Sequence, residues 1–299
     1  MYDSRQSILV FGATGRQGGS VARALLDAKW PVRALVRDPS APKAIALGEA
    51  GVEILQGSLA DTDVIRTAME DVYGVFSVLP GNLPGEDEVR FGCMVADLAA
   101  KSGVAHFVYS SGASAGNKLT GVPRFDAKPR IEAHIRKLPL TATIVRPMIF
   151  MDMLIRAEYG LNEGRYTFFL RQHQSMQLIA GDDIGKFVEV IFADKTRFEG
   201  ITLKLASDTV TGNELEKYLT EAAGRTITYA QFDEKFLAAN PDLNHMSKSL
   251  ESGPLADHVD LKVMRDINPG ISSFPFWLAG SGRTALERAL SATEKRNQS

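Results

Sequence analysis

The segment Gly12-Ala13-Thr14-Gly15-Arg16-Gln17-Gly18 decides how this chain is read. Before it, Ser7 to Phe11 is a short apolar run with the character of a buried strand. After it, Gly18 to Ala28 places Val21, Leu25 and Leu26 on one face of a helix. A glycine turn between a strand and a helix suits a doubly anionic pyrophosphate, which must come close to unpaired N–H groups at the helix N-terminus. In that reading Gly12 permits the tight turn, Gly15 leaves room for the phosphates, and Gly18 lets the helix pack against the sheet. Glycines also end strands for purely structural reasons. It is the position between strand and helix that points to a dinucleotide.

Outward from the turn, strand and helix signals alternate. Val32 to Val36, Val52 to Leu55, Gly74 to Leu79, Ala105 to Ser110 and Thr141 to Arg146 read as further strands. Helices are expected over Ala41 to Ala50, after Asp61, from Asp87 to Ser102 and from Pro129 to Lys137. Six strands joined by five crossovers predict an α/β fold, a NAD(P)-binding Rossmann fold with a doubly wound parallel sheet. The second half is less regular. Met176 to Ala180 and Ile201 to Ala206 read as strands, Asp182 or Asp183 caps a helix, and Thr211-Gly212-Asn213-Glu214 is a capping box. The expected organisation is an NADP-binding domain over residues 1–150. A smaller C-terminal α/β lobe for substrate or partner follows over 151–299, with some strands rejoining the main sheet.

The bulk composition bounds the partners. The chain has 299 residues, 44% hydrophobic and 23% charged, with a formal net charge of -2. That balance gives no electrostatic reason to expect nucleic acid. The single cysteine, Cys93, leaves no intrachain disulfide and no cysteine metal cluster, which fits a reducing compartment. The five histidines show no metal-ligand spacing. No signal-peptide pattern and no bilayer-length apolar run is present, so a cytoplasmic protein without membrane association is expected.

Cofactor choice is read at the end of the second strand. An acid there accepts from the ribose 2′-OH of NAD, whereas an arginine pairs with the 2′-phosphate of NADP. Arg37 stands at that point, with Arg16 in the turn and Lys43 close by, which favours NADP(H). Asp38 follows at once and would read NAD if the strand ended one residue later.

These residues are joined by others: Phe11 to Ala22 as a block, Val36-Arg37-Asp38-Pro39, Val95-Ala96-Asp97-Leu98-Ala99, Val108-Tyr109-Ser110-Ser111-Gly112, Phe125-Asp126-Ala127-Lys128 and Arg146-Pro147-Met148-Ile149-Phe150-Met151. Together they resemble the NmrA-like proteins, atypical short-chain dehydrogenases/reductases, and within them a subgroup of NADPH sensors. The resemblance spans most of the chain and weakens after about Asn240. It implies that Gly12, Ala13, Thr14, Gly15, Arg16 and Gln17 hold the pyrophosphate and Arg37 the 2′-phosphate. It further implies that Leu79, Pro80 and Gly81 line the middle of the cofactor, that Arg90 replaces a cofactor-contacting lysine, and that Lys128 reaches the nicotinamide ribose. Ile149, Phe150 and Asp152 would close over the nicotinamide. Two positions depart from the family pattern: Ser58 stands where an adenine-reading Asp is common, and Asp152 where an Asn is common.

Short-chain reductases use a Tyr-x-x-x-Lys pair, the tyrosine protonating the carbonyl oxygen. Here Lys128 holds the lysine place but Arg124 the tyrosine place, and arginine is no acid near neutral pH. Tyr109, in a strand, is expected to pack. Lys128 could itself be the acid if burial and the cationic nicotinamide lower its pKa. Pro129 is expected to open the helix, putting Lys128 at its entrance. Ser111 is near the place of a substrate-polarising serine, and the same Ser-Ser-Gly run also reads as a plain turn. Met148, Met151 and Met153, with Phe168 and Phe169, could line an apolar cavity or simply fill core. Cys93 reads as core and His134 as partly buried packing. Two functions remain: an NADP(H)-responsive regulator with weak or no dehydrogenase activity, with a protein partner or a homodimer as its expected assembly, or an NADPH-dependent reductase of a quinone, enone or other small carbonyl compound.

Overall fold

The structure is a computed structural model and describes residues 6–116, 119–120 and 122–292. From the N-terminus, β1 (Ser7–Val10), α1 (Arg16–Asp27), β2 (Val32–Val36), α2 (Pro42–Glu49), β3 (Glu53–Gln56), α3 (Thr62–Ala68) and β4 (Val72–Ser77) follow in strict alternation. They are continued by α4 (Gly85–Lys101), β5 (His106–Ser110), α5 (Pro123–Ile135) and β6 (Ala142–Pro147). Then come β7 (Ile149–Phe150), β8 (Arg165–Phe168), β9 (Ser175–Ile179), α6 (Gly181–Ala193), α7 (Lys195–Phe198) and β10 (Thr202–Leu205). The chain continues through β11 (Asp208–Thr211), α8 (Gly212–Ala223) and β12 (Thr228–Gln231) to shorter helices, the last of which spans Arg283–Ser291.

Two compact units result: Met1–Pro147 with Gly181–Leu205, and Met148–Ala180 with Ala206–Ser299. The first is a seven-stranded parallel sheet in the order β10-β6-β5-β4-β1-β2-β3. The strand order reverses between β1 and β4, the switch point at which open α/β sheets take ligands. Period-two alternation sends Leu9, Phe11, Val75, Phe107 and Tyr109 to one face, where Ile65 of α3, Val95 and Ala99 of α4, and Ile131 and Ile135 of α5 cover them. On the other face, a Cβ at Gly74 would meet the Phe192 ring of α6, and His106 stacks edge-on to that ring. A Cβ at Gly185 of α6 would fall onto the Ser20 carbonyl of α1, so these two helices touch backbone to backbone.

Three helices hand the chain to the next strand in the same way. After α1, Lys29 N–H donates to Leu26 and Trp30 N–H to Leu25; after α2 and α4, Gly51 with Val52 and Gly103 with Val104 repeat the pattern. Each is a Schellman end with a left-handed residue followed by a buried apolar one, which satisfies the last carbonyls and fixes the entry to the strand.

One expectation is corrected. α5 opens at Pro123, where a first-turn proline loses no bond, and Pro129 lies inside the helix. Lys128 is therefore helical, one turn beyond Arg124. A proline restricts the residue before it without forbidding a helix that tertiary packing holds.

The second unit contains the antiparallel pair β11–β9 with β7 parallel to β9, and the parallel pair β12–β8. Thr211 and Glu214 form the expected capping box at α8. Tyr159, Tyr166, Phe168, Phe169 and Tyr229 form an aromatic cluster, and Met148 and Met151 are buried in this unit. Phe168, Phe169 and these two methionines thus fill core. Among the described residues no helix is long and apolar enough to cross a membrane. Nor does any group of three His, Cys, Asp or Glu side chains among them form a metal cluster.

Candidate functional site

The glycine turn is built from backbone. Gly12 adopts φ +67°, a left-handed conformation that favours glycine, and accepts a hydrogen bond from Gly15 N–H at 2.8 Å. A Cβ at Gly18 would fall onto the Gly12 carbonyl, and one at Gly12 would stand 2.9 Å from Val78 Cγ1. The third glycine is thus required by the turn's own carbonyl, not by helix-on-sheet packing. α1 begins at Arg16 with Gly15 as N-cap, no side-chain cap and no acidic residue in its first turn. Its first N–H groups and its dipole present positive potential at the switch point. Ala13 is buried while Thr14 is half-buried, and Gln17 accepts from the Ser110 hydroxyl at 2.7 Å. That bond ties the turn to the end of β5.

Arg37 is the first residue past β2 and is exposed, with no ion pair among the described residues. Asp38 is committed elsewhere. Its carboxylate accepts from the Ser40 hydroxyl at 2.6 Å and the Ser40 N–H at 2.9 Å, and these bonds hold its pKa below the usual range. Arg37 is therefore the residue of the two with its charged group free for a ligand. Past β3, the Ser58 hydroxyl accepts from Ala60 N–H at 3.2 Å. Past β4, Leu79 is buried in the core, while Pro80 and Gly81 are exposed. Leu79 thus offers only backbone at the strand end. Arg90 pairs with Asp87 at 2.7 Å and lies over the Phe91 ring on exposed helix surface.

Past β5, side chains take over. The Ser111 hydroxyl donates to Glu132 at 2.6 Å, and Glu132 also accepts from Arg146 at 2.6 and 2.9 Å and from Arg136 at 2.8 Å. Burial pushes the Glu132 pKa up, but the bonds from Arg146, Ser111 and Arg136 outweigh it and hold the carboxyl below its ordinary value. The Ser111 proton is committed to this buried carboxylate. Lys128 Nζ donates to Glu88 Oε1 at 2.6 Å, across from α5 to α4. The Lys128 stem runs beside Gly112, where a Cβ would touch its Cδ at 3.5 Å. The Arg124 side chain lies outside the described residues. Tyr109 is 1% exposed and its hydroxyl has no hydrogen-bond partner. Burial first, then the Glu88 and Glu132 charges, push its pKa well above the tyrosine range, so it is a core residue rather than an acid. The Cys93 thiol is pushed up by burial and by Asp97, which suits a packed thiol, while His134 bonds Asp97 at 2.7 Å.

The structure thus gathers Gly12 to Gly18, Arg37, Ser58, Leu79 to Gly81, Ser111 and Lys128 at or just beyond the C-terminal ends of β1 to β5 and in α5. Ile149 and Phe150 form β7, and Asp152 the turn after it, in the second unit. Glu88 and Glu132, the hydrogen-bond partners of Lys128 and Ser111, were singled out by no motif, and Ser110, quoted within one, was given no role of its own. Glu88 in particular is one of three consecutive acids, Glu86-Asp87-Glu88, and nothing local distinguishes it.

The chain is similar to known proteins. An NmrA-like family domain-containing protein of Dictyostelium discoideum is 28% identical over 245 residues, 76% of this chain and 81% of that protein. An NAD(P)H azoreductase of Xenophilus azovorans is 30% identical over 225 residues, 74% of this chain and 76% of that protein. The solved structure of NmrA, a negative transcriptional regulator in complex with NADP, superposes with a TM-score of 0.78 at 21% identity, covering 95% of this chain and 98% of that one. The model of the NmrA-like family matches residues 4–259, and the chain belongs to that family.

Proposed function

We propose that the chain binds NADP(H) at the Gly12–Gly18 turn and serves as an NADP(H)-responsive regulator with weak or no dehydrogenase activity. The uncapped start of α1, free of acids, fits a pyrophosphate, and the Gly12–Gly18 contact leaves no room for a side chain in the cradle. Arg37 would pair with the 2′-phosphate, its neighbour Asp38 being tied to Ser40. Ser58 would meet the adenine end, Pro80 and Gly81 the middle, and Lys128 the nicotinamide ribose. Ile149, Phe150 and Asp152 are proposed to cover the nicotinamide. The domain division follows the same logic, with a dinucleotide-binding part over residues 1–150 and a substrate- or partner-binding part over 151–299, of which the strand at Thr202–Leu205 rejoins the main sheet.

One observation carries the regulatory reading: the proton donors that carbonyl reduction needs are absent or engaged. No tyrosine stands one turn before Lys128, Ser111 is spent on Glu132, and the Lys128 ammonium is paired with Glu88. When bound, the dinucleotide would supply hydride, while the two candidate donors the motifs named, Ser111 and Lys128, are both engaged. A reductase reading is favoured by the kinship with a protein named NAD(P)H azoreductase, and would make Lys128 the acid or ribose clamp for a quinone, enone or small carbonyl substrate.

The two readings separate when purified protein and NADPH are incubated with quinones, aldehydes and azo compounds while oxidation of the cofactor is followed. The regulatory reading expects tight binding, no turnover, and a cofactor-dependent change in association with itself or a protein partner. Turnover that disappears in Lys128→Met would overturn it.

A further inference from the structure

We propose that Glu88 is a positioning residue for Lys128: it holds the ammonium in the place from which it meets the nicotinamide ribose. The proposal rests on the reading that Lys128 meets that ribose.

Glu88 is only 7% exposed, and Lys128 is its one partner among the described residues; the converse also holds. A half-buried ion pair is weakly explained by stability, since the desolvation of its buried carboxylate offsets much of the Coulombic gain. What the pair does supply is a fixed point. Lysine has a long stem with several rotors, and a helix fixes only the first of them. Here the stem lies along Gly112, within ordinary contact of a Cβ built there at 3.5 Å, and the head is tied at 2.6 Å.

Glu88 is itself held rigidly. Two residues earlier, Glu86 receives two bonds from Arg130 of α5, which keeps its carboxyl below the ordinary value. Just before Glu86, a Cβ at Gly85 would stand 2.6 Å from the Pro123 carbonyl oxygen, and one turn after Glu88 a Cβ at Gly92 would stand 2.6 Å from Ile131 Cδ1. The two helices therefore meet at close quarters above, at and below Glu88. Its carboxylate can aim Lys128 because its own helix cannot shift against α5. The Tyr109 hydroxyl, which could have bonded a carboxylate, makes no such bond, so the Glu88 charge is spent on Lys128 alone.

The test titrates the full chain with NADPH and, separately, with 2′,5′-ADP, a fragment that ends before the nicotinamide ribose. Glu88→Gln keeps size and removes charge. It is expected to weaken NADPH about tenfold and leave 2′,5′-ADP within about twofold of wild type. Glu88→Asp should recover part of the loss. Lys128→Met should match Glu88→Gln, and the double variant should bind NADPH no more weakly than Lys128→Met alone, the signature of one residue acting through another. Unchanged NADPH affinity in Glu88→Gln beside a weakened Lys128→Met would overturn the positioning role. So would additive losses in the double variant, or equal weakening of both ligands, which marks general damage. Unchanged affinity in Lys128→Met would overturn it too, and would locate the fault in the ribose reading beneath it.

Discussion

The turn after β1 and the cluster after β5 lie at the same edge of one sheet, yet they are made of different material. Between Gly12 and Gly18 the work is done by main chain: carbonyls, N–H groups and the absence of side chains. Around Ser111, Lys128 and Glu132 it is done by side chains, most of them charged, drawn from α4, α5, β6 and the residue just past β5. A backbone site depends on a few small residues close together in the chain. A side-chain site depends on long-range pairings, each of which leaves a buried charge exposed to loss if its partner goes. The first should therefore fail sterically, the second electrostatically and with pH.

The largest expected effect is on the side-chain cluster. Glu132→Ala strands the nearly buried Arg146 and the Ser111 hydroxyl, and should cost about 3–5 kcal/mol in denaturant unfolding. A cost below about 1 kcal/mol would mean that the cluster is no more than an ordinary surface pair. The same carboxyl has a pH signature. Its pKa is lowered in the fold, so its contribution is complete above its ordinary value of 4.5 and is lost as pH falls through the folded value. The stability gap between wild type and Glu132→Gln should accordingly narrow below pH 4.5, and a gap that widened there would contradict the assignment.

Gly18→Ala comes next. A methyl placed on the Gly12 carbonyl should cost about 1–3 kcal/mol and abolish measurable NADPH binding, with no comparable change in pH dependence. Retained binding would show that the turn can open. Arg37→Ala should lower the preference for NADPH over NADH about tenfold without altering stability, and an unchanged ratio would remove Arg37 from the site. Smallest is Ser110→Ala, which cuts the one direct side-chain bond described between the two regions, to Gln17. About 0.5–1.5 kcal/mol of stability is expected to go, with a slight loss of NADPH affinity.

What was legible in the sequence follows the same division. Glycine spacing, strand alternation and capping residues are local, so the turn, the parallel sheet and the capping box at Thr211 could all be read directly. The start of α5 was misread because Pro129 is a strong local signal, and the packing of Ile131 against Gly92 that holds the helix through it is not local. Gly18 was recognised, but for the wrong contact: the seven-residue turn folds back on its own carbonyl. Ser111 could be read two ways until Glu132, 21 residues on, claimed its proton. Glu88 was invisible, since its partner lies 40 residues away and its two acidic neighbours look the same in sequence.

The return of the chain after Gly181 bears on how the protein comes to be made. β10, which pairs with the outer side of β6, and α6, which lies on α1, are both encoded after the excursion into the second unit. During synthesis the first six strands emerge several seconds before these pieces do. In that interval β6 presents an open edge and α1 an uncovered apolar face, the two hazards a nascent sheet most needs shielded. A gene cut after Pro147, at the end of the sixth strand, would freeze the protein at that vulnerable moment and should yield aggregate instead of a domain.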